Sequence, residues 1–273
     1  MTYLNQLYNL DGKVAIITGG GGVIAGQMAE GLIQCGVKVV LLYRKEETIK
    51  ERVKKLEQYG TVISLFCDAL KEEDLVKVKD EVLSTFGRID ILINAAGGNM
   101  PGATINPDQT IFDMNMADFD KVTSLNLNGS VLPSLIFGKV MSEQKSGNII
   151  NISSMAADSV ITRVVGYSAS KAAITNFTRW MSVEMAKKFG DNIRVNALSP
   201  GFFIGNQNRR LLTQEDGSLT PRGNDIIRNT PMGRFGEAEE LIGATLFLCS
   251  DASKFVTGVV LPVDGGFSIF SGV

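Results

Sequence analysis

Residues 14–26, VAIITGGGGVIAG, determine how this chain is expected to fold. The first five residues form an apolar, β-branched run that is typical of a buried strand. A glycine-rich segment follows, and residues 23–34 have the pattern of a helix. Glycines at a strand-to-helix turn let backbone N–H groups approach a phosphate at the start of the helix. The stretch therefore predicts a βα unit with a phosphate-binding turn.

The same alternation continues along the chain, where short apolar runs are followed by longer amphipathic stretches. This order is typical of βαβ units in a parallel sheet, and apolar strands are expected when helices cover both faces. We therefore predict a doubly wound α/β sheet, a three-layer Rossmann fold, as one domain over residues 1–273. The predicted strands are 14–18, 37–43, 62–66, 89–94, 148–152, 193–198 and 259–263, and the clearest helices are 23–34, 46–59 and 72–86.

Two longer loops interrupt this alternation, at residues 97–109 and 201–237. Both follow the carboxyl ends of predicted strands, where ligands bind in open α/β sheets. Long loops in compact domains are often functional. We predict that residues 201–237 form a substrate lid.

The composition argues against several classes of protein. The 273 residues have a net charge of −2 and no cluster of basic residues, which disfavours nucleic acid or an anionic membrane as the main partner. The three cysteines lie far apart, and Asp113, Asp118 and Asp120 lack ligand spacing, so we predict neither a disulfide framework nor a metal site. Because no signal peptide or membrane-spanning run is evident, we expect a cytoplasmic location.

The chain contains no histidine, which excludes a Ser-His-Asp triad and an HExxH zinc site. Tyr167 and Lys171 are four residues apart, so on a helix they share one face. A nearby ammonium lowers the pKa of a phenol, which would suit the tyrosine for general acid and base catalysis. Ser154, earlier in the chain, could hydrogen-bond the reacting oxygen.

With these residues the chain resembles the short-chain dehydrogenase/reductase family over nearly its whole length. Thr18 and Gly19 match the start of the family's TGxxxGxG turn, although Val23 and Ala25 stand where glycines are usual. Residues 94–97, NAAG, resemble the NNAG motif, with Ile93 in place of its first asparagine. Residues 200–201 match the PG motif beside the nicotinamide.

This resemblance implies a role for each matching residue. Ser154, Tyr167 and Lys171 would be catalytic, and Asn126 would position the lysine through a water. Asp68 would lie beside the adenine ring. A homotetramer is also implied, with the Tyr167 helix at one interface. The full set of expected cofactor-binding residues is Gly19, Gly21, Gly22, Val23, Ile24, Arg44, Lys45, Asp68, Ala69, Asn94, Ala95, Ala96, Gly97, Tyr167, Lys171, Pro200, Gly201 and Phe203.

The residues after the second strand indicate which dinucleotide binds. An acidic residue there would accept hydrogen bonds from the ribose 2′-hydroxyl of NAD. This chain has Tyr43, Arg44 and Lys45 instead, and Arg44 could pair with a 2′-phosphate. We therefore predict NADP(H) over NAD(H). The alternative, that both basic residues only begin a solvated helix, stays open.

The substrate signals are polar residues near the predicted cleft. Arg163 could bind a substrate carboxylate, and Ser154 would contact the reacting oxygen of the substrate. The loop residues Asn99, Gln207, Asn208 and Arg209 suit a polyhydroxylated ligand. A surface arginine and ordinary loop polarity are the alternatives. Residues 201–203 (GFF), 207–209 (QNR) and 220–223 (TPRG) resemble family members named D-mannonate oxidoreductase or fructuronate reductase.

We therefore predict an oxidoreductase that interconverts a hydroxyl and a ketone on a sugar acid, with D-mannonate and D-fructuronate as the expected pair. Alternatives are a gluconate 5-dehydrogenase-like enzyme, a reductase for a sugar alcohol or a 3-oxoacyl substrate, and a non-catalytic NADP(H) sensor. A sensor is disfavoured because such proteins typically lack the active-site tyrosine or lysine, and this chain has both.

Overall fold

The computed structural model describes residues 2–205 and 208–272. Its centre is a seven-stranded parallel sheet with the strand order β3-β2-β1-β4-β5-β6-β7, which confirms the predicted doubly wound fold. The strands are β1 (Val14–Thr18), β2 (Lys38–Tyr43), β3 (Val62–Phe66), β4 (Ile91–Asn94), β5 (Gly147–Ile152), β6 (Ile193–Pro200) and β7 (Val260–Val263).

Helices connect these strands. A π-helical turn, Ser124–Asn128, joins the helices that end at Thr123 and begin at Gly129. The helices are α1 (Tyr3–Leu7), α2 (Val23–Gln34), α3 (Lys50–Leu56), α4 (Glu72–Phe86), α5 (Met116–Thr123), α6 (Gly129–Gln144), α7 (Val165–Phe189), α8 (Arg209–Leu212), α9 (Pro221–Arg228) and α10 (Leu241–Cys249).

The predicted boundaries differ from the structure at two places with a visible cause. The predicted helix 46–59 is a 3₁₀ turn, Glu46–Thr48, followed by α3, because the Thr48 hydroxyl donates to the Lys45 carbonyl and tightens the first turn. The predicted strand 89–94 begins at Ile91. Both backbone polar groups of Ile89 bind the side chain of Gln144 instead of a neighbouring strand.

Two apolar cores lie on opposite faces of the sheet. Ala15 and Ile17 of β1 face the layer that contains α2 and α10, whereas Val14 and Ile16 face the layer that contains α4, α6 and α7. Successive side chains of a strand point to opposite faces, so a strand covered on both sides must be apolar throughout. This double coverage explains the continuous apolar runs in the sequence.

The strand order reverses between β1 and β4, which opens a crevice at their carboxyl ends. Thr18, the last residue of β1, pairs in register with Asn94, the last residue of β4. The buried Thr18 hydroxyl accepts hydrogen bonds from the N–H groups of Ala95 and Ala96, each at 3.0 Å. Ligands of open α/β sheets bind at such a reversal, so Thr18 fixes the floor of the expected cleft.

Candidate active site

The glycine-rich turn has the shape required to hold a pyrophosphate. Gly19 has φ +66°, and a Cβ there would lie 2.9 Å from the Ala95 carbonyl oxygen, so only glycine fits. Gly22 is the N-cap of α2. The first N–H groups of a helix have no carbonyl within that helix to bind and can receive a phosphate. The turn therefore fits a dinucleotide although Val23 and Ala25 replace the usual glycines.

Side chains of the 3₁₀ turn Glu46–Thr48 and of α3 pack against this glycine-rich turn and the start of α2. Side chains larger than hydrogen at Gly21 and Gly26 would overlap Thr48 and the guanidinium of Arg52, respectively. Burial lowers the pKa of Arg52, and its Nε has no hydrogen-bond partner among the described residues. No short-range pattern in the sequence indicates this contact, because it depends on how α3 packs against α2.

The residues expected near the adenosine end of a dinucleotide follow the carboxyl ends of β2 and β3. Arg44 and Lys45 follow β2 and are exposed. Asp68 lies two residues beyond β3, where its Oδ1 accepts from the Leu70 N–H at 3.1 Å. Ala69 beside it is buried. The cofactor-binding roles of these four residues stay predictions.

The structure corrects the expected role of the Asn94 side chain. It is 1% exposed, and its Nδ2 donates to Ser134 Oγ and Asn151 Oδ1, both at 2.8 Å. Asn151 in turn donates to Thr178 of α7. Asn94 therefore connects the sheet to two helices, and its side chain has almost no exposed surface with which to contact a ligand in the cleft. Residues 95–97 are the part of the motif that lines it.

Tyr167 and Lys171 lie on one face of α7, as predicted. Tyr167 is in the first turn of the helix, which begins at Val165. The Lys171 Nζ is 5.4 Å from the centre of the Tyr167 ring, and it donates to the carbonyl of Ile152, the last residue of β5, at 2.7 Å. Lys171 is only 4% exposed. Sheet and helix thus hold the two groups together at the carboxyl end of β5.

The electrostatics of this pair differ from the expectation in one respect. We predicted that Lys171 lowers the pKa of Tyr167, but burial has the largest effect and raises that pKa, while the hydrogen bond with Ser154 opposes the rise. The prediction is therefore wrong in its net direction. Burial also lowers the pKa of Lys171 from 10.5 to about 8, because a charged amine loses hydration in the protein interior.

Ser154 lies two residues beyond β5, which ends at Ile152. It is 6% exposed, and its hydroxyl also accepts from the Ala156 N–H at 3.2 Å. That bond caps the 3₁₀ turn Met155–Ala157 and fixes the side chain. The hydroxyl is thereby held within hydrogen-bonding reach of the Tyr167 phenol, and its predicted contact with the reacting oxygen stays a prediction.

Asn126 lies in the π-helical turn and is fully buried. Its Nδ2 donates to the carbonyls of Gly98 and Val122, and its Oδ1 accepts from the Gly98 N–H. A Cβ on Gly97 would lie 2.7 Å from Asn126 Oδ1 and 3.5 Å from Lys171 Nζ. π-helical turns occur frequently at functional sites. The structure therefore brings Asn126 beside Lys171, and its predicted role through a water stays a prediction.

The segment after β6 passes close to both the C-terminal loop and the glycine-rich turn. A Cβ on Gly201 would lie 2.6 Å from Asp264 Cα, so Pro200 and Gly201 pass tightly against the C-terminal loop. Phe203 is buried with its ring over Gly236. A Cβ on Gly205 would lie 3.9 Å from Val23 Cγ2, so the lid begins above the glycine-rich turn.

The predicted substrate residues have different surroundings. Arg163 binds the loop after β4, with Nε donating to the Ile105 carbonyl at 2.9 Å. Asn99 donates to Thr104, and its buried Oδ1 has no partner within the described chain. The structure does not support Asn208 as a substrate ligand, because both polar atoms of its side chain bind the backbone of the lid. Gln207 lies outside the described residues.

A separate cavity of about 400 Å³ lies between the lid and the C-terminal segment. Phe202, Met232 and Asp264 line it, but Ser154, Tyr167 and Lys171 do not.

In residues 2–205 and 208–272, no group of three or more Cys, Asp or Glu side chains could hold a metal ion. No helix of that part of the chain is long and apolar enough to cross a bilayer.

Comparison with known proteins gives matches along the chain. The family model described as enoyl-(acyl carrier protein) reductase matches residues 21–268. A Bacillus subtilis (strain 168) protein called uncharacterized oxidoreductase UxuB is 44% identical over 97% of this chain and 98% of its own. The 7alpha-hydroxysteroid dehydrogenase of Escherichia coli (strain K12) is 33% identical over 94% of each chain.

A solved structure extends this similarity to three dimensions. It is a Haemophilus influenzae protein with bound NAD, given the provisional name D-mannonate oxidoreductase. It shares 44% identity with this chain, covers 97% of this chain and 98% of its own, and superposes with a TM-score of 0.90.

Proposed function

Since this chain belongs to the short-chain dehydrogenase/reductase family and is an oxidoreductase, we propose that its substrate is a sugar acid, with D-mannonate and D-fructuronate as the interconverted pair. The observation that carries the proposal is the group formed by Ser154, Tyr167 and Lys171 at the carboxyl end of β5. A bound nicotinamide dinucleotide would donate or accept the hydride at the substrate carbon.

The chain's own residues would handle the proton and the reacting oxygen. In reduction, Tyr167 donates the proton of its phenol to the substrate oxygen, while the Ser154 hydroxyl hydrogen-bonds the same oxygen. In oxidation the roles reverse, and the phenolate accepts the hydroxyl proton. Burial raises the pKa of Tyr167, so the phenol is protonated and ready to act as an acid at neutral pH. Lys171, whose pKa is about 8, keeps a positive charge beside the ring at that pH.

Two observations favour a sugar acid over other substrates. The Haemophilus influenzae relative has the provisional name D-mannonate oxidoreductase. The loops around the cleft also carry polar groups, among them the unpartnered Oδ1 of Asn99 and the guanidinium of Arg163. A gluconate 5-dehydrogenase-like substrate, a sugar alcohol or a 3-oxoacyl thioester is the alternative. The hydroxysteroid dehydrogenase relative indicates that similar sequences can serve quite different alcohols.

For the cofactor we propose a preference for NADP(H) over NAD(H). The support is the exposed guanidinium of Arg44 at the end of β2, where no carboxylate occupies residues 43–45. An arginine there can form a bidentate ion pair with a 2′-phosphate. The Haemophilus influenzae relative holds NAD, so the preference requires a direct comparison of the two dinucleotides.

We further propose a homotetramer, in which α6 and α7 lie at subunit contacts. Leu135 of α6 and Trp180 and Val183 of α7 are 56%, 64% and 57% exposed. Burial of such apolar side chains stabilises subunit association. Sedimentation at micromolar concentration tests this, and a monomer would contradict it. The cytoplasmic location stays a prediction.

A panel of hexonates and ketohexonates, with NADPH and NADH absorbance as the readout, tests the proposed function. We expect turnover with D-mannonate in oxidation and with D-fructuronate in reduction, and little with steroid alcohols or 3-oxoacyl thioesters. A polyol or a thioester that is turned over far faster than every hexonate would replace the sugar acid as the substrate. Binding of the dinucleotide with no turnover of any alcohol or ketone would favour the sensor instead.

A further inference from the structure

Two arginines from distant parts of the chain converge on the loop that precedes the catalytic helix. Arg163 lies in that loop, four residues before Tyr167. Arg222 lies in the first turn of α9, within the lid, and its two terminal nitrogens donate to the hydroxyl and the carbonyl of Thr162, both at 3.3 Å. The lid therefore meets the catalytic loop at Thr162, the residue directly before Arg163.

The backbone at Arg163 is held in an unusual conformation. Its φ is +79°, in the left-handed region that non-glycine residues other than Asn and Asp seldom adopt. Arg163 Nε donates to the Ile105 carbonyl, one terminal nitrogen donates to Asn106 Oδ1 at 3.0 Å, and the Arg163 carbonyl accepts from the Ile105 N–H. Strain of this kind persists where surrounding contacts over-determine it, often at ligand-binding sites. These contacts aim the Arg163 guanidinium in a fixed direction.

The two positive charges also lie without a compensating carboxylate. Neither Arg163 nor Arg222 has an ion pair within 4.0 Å in the part of the chain that the structure describes. Burial has the largest effect and lowers the pKa of Arg222, the nearby charge of Arg163 lowers it as well, and Asp225 opposes them with a smaller effect. A cation in the first turn of a helix is also unfavourable toward the helix dipole. An anion placed between these groups would offset the burial of the Arg222 charge, its repulsion by Arg163 and its unfavourable interaction with the helix dipole.

The hydrogen-bonding capacity that remains suits a carboxylate. A guanidinium has five N–H donors. Arg163 uses donors from two of its nitrogens for residues 105 and 106, and its remaining terminal nitrogen has no acceptor among the described residues. The bonds from Arg222 to Thr162, at 3.3 Å, are longer than the usual charge-assisted length. Arg163 can therefore bind a ligand through its remaining terminal nitrogen while it keeps these bonds, and Arg222 can turn toward the ligand without breaking a strong internal bond.

We propose that Arg163 and Arg222 form the subsite for the substrate carboxylate, and that Arg222 is the specificity-determining residue that the lid contributes. The proposal rests on the proposed sugar-acid function and adds the site that would distinguish the acid from a neutral sugar. The carboxylate would lie between the catalytic loop and α9. The reacting carbon would then be held at a fixed distance from Tyr167.

Arg222 gives the cleaner test, because Arg163 also holds residues 105 and 106 in place. The test variants are Arg222→Met and Arg222→Lys, and the matched control is Arg228→Met. Arg228 is on the same helix, is exposed, and among the described residues forms one ion pair, with Asp225 at 3.5 Å. Circular dichroism and thermal unfolding of each variant confirm that it is folded. Steady-state kinetics compare D-fructuronate with D-fructose, a ketohexose that lacks the carboxylate.

Arg222→Met removes one charge-assisted contact with the carboxylate. We therefore expect it to raise KM for D-fructuronate by about 10- to 100-fold with a smaller change in kcat. The kcat/KM of Arg222→Met for D-fructose should change little, because this ketohexose has no carboxylate. The KM of Arg222→Lys for D-fructuronate should lie between those of the wild type and Arg222→Met. The KM of Arg228→Met should match the wild-type value. An equal loss for the charged and the neutral ketone, or no greater loss than in Arg228→Met, would overturn the proposal and leave Arg222 as a structural tie between lid and loop.

Binding measurements separate this proposal from the proposed function. Calorimetry of D-mannonate is performed in the Tyr167→Phe background with saturating NADP⁺ or NAD⁺, so that no turnover occurs. We expect binding that disappears when Arg222→Met is added. Hexonate binding that depends on Arg222, without turnover in the wild type, supports the carboxylate subsite and contradicts the proposed reaction. Absence of any hexonate binding overturns the subsite itself.

Discussion

The Nζ of Lys171 lies 5.4 Å from the centre of the Tyr167 ring, and the same ammonium donates to the Ile152 carbonyl at 2.7 Å. The lysine is therefore fixed at two points, by the end of β5 and by the aromatic ring one helical turn earlier. Its burial keeps the two groups in contact but makes the charge costly to retain. The proposed chemistry depends on this balance.

That balance should be visible as a dependence of stability on pH. The pKa of Lys171 is lowered from 10.5 to about 8 in the folded protein, so between these values the unfolded chain binds more protons than the folded one. The free energy of unfolding should therefore rise with pH through this window. Burial of the charged amine costs up to about 3 kcal/mol below pH 8.

The Lys171→Met variant isolates this contribution from other groups that titrate in the same range. Urea unfolding of both proteins between pH 7 and pH 10.5 should show the wild type gaining up to about 3 kcal/mol relative to the variant as the pH increases. Parallel stability curves would mean that the amine is well hydrated and that its pKa is ordinary. The variant should also lose most of its turnover.

Replacement of Ser154 by alanine should change the pH dependence of oxidation. The hydrogen bond from Ser154 lowers the pKa of Tyr167 against the effect of burial, so its loss should raise that pKa further. We expect the rise of kcat for oxidation to move to higher pH, and kcat near neutral pH to fall by about 100-fold. The adjacent Ser153→Ala variant is the control, because Ser153 binds Thr175 and the Lys171 carbonyl. Identical pH profiles for both variants would remove Ser154 from the mechanism.

The Thr18 hydroxyl should contribute to both stability and cofactor binding. Thr18→Val leaves the N–H groups of Ala95 and Ala96 without their buried acceptor, which should cost about 1–3 kcal/mol in the free energy of unfolding. Because these residues form the cleft floor, the affinity for the dinucleotide should fall as well. Thr18→Ser retains the oxygen and should behave like the wild type in urea unfolding and in NADPH fluorescence titration. Equal stability of the valine and serine variants would contradict this role.

Arg44 should determine how well the 2′-phosphate is bound. The Arg44→Ala variant should weaken NADPH binding by about 10- to 100-fold and leave NADH binding nearly unchanged, because a charge-assisted hydrogen bond contributes about 1.5–3 kcal/mol. Lys45→Ala, which changes the same charge one residue later, provides the comparison. Fluorescence titration with both dinucleotides measures the effect. An equal loss for NADH and NADPH would show that Arg44 has no part in cofactor preference.

The regular elements were predictable because their signals are local. The apolar run Val14–Thr18 and the helices Val23–Gln34 and Glu72–Phe86 have the predicted bounds, since each is bordered by a glycine-rich or charged segment. The shared face of Tyr167 and Lys171 followed from helical periodicity alone. The doubly wound sheet followed from the order of the elements.

The remaining differences come from contacts between distant segments. Asn94 was assigned to the cofactor, but Ser134 and Asn151 draw its side chain into the interior. The net direction of the Tyr167 pKa depends on burial, which spacing along a helix does not report. The contact of Arg222 with Thr162, beside Arg163, depends on how the lid folds back over 60 residues of sequence, and no short-range pattern indicates it.

Turnover by the Tyr167→Phe variant tests the central claim, that this phenol transfers the proton, most directly. The substitution removes one hydroxyl and leaves the ring against Lys171 in place. We expect kcat with D-mannonate to fall by about 1,000-fold or more, while NADPH fluorescence titration gives a dissociation constant close to that of the wild type. A variant that binds the dinucleotide normally and still turns over at a rate near the wild-type value would contradict the account.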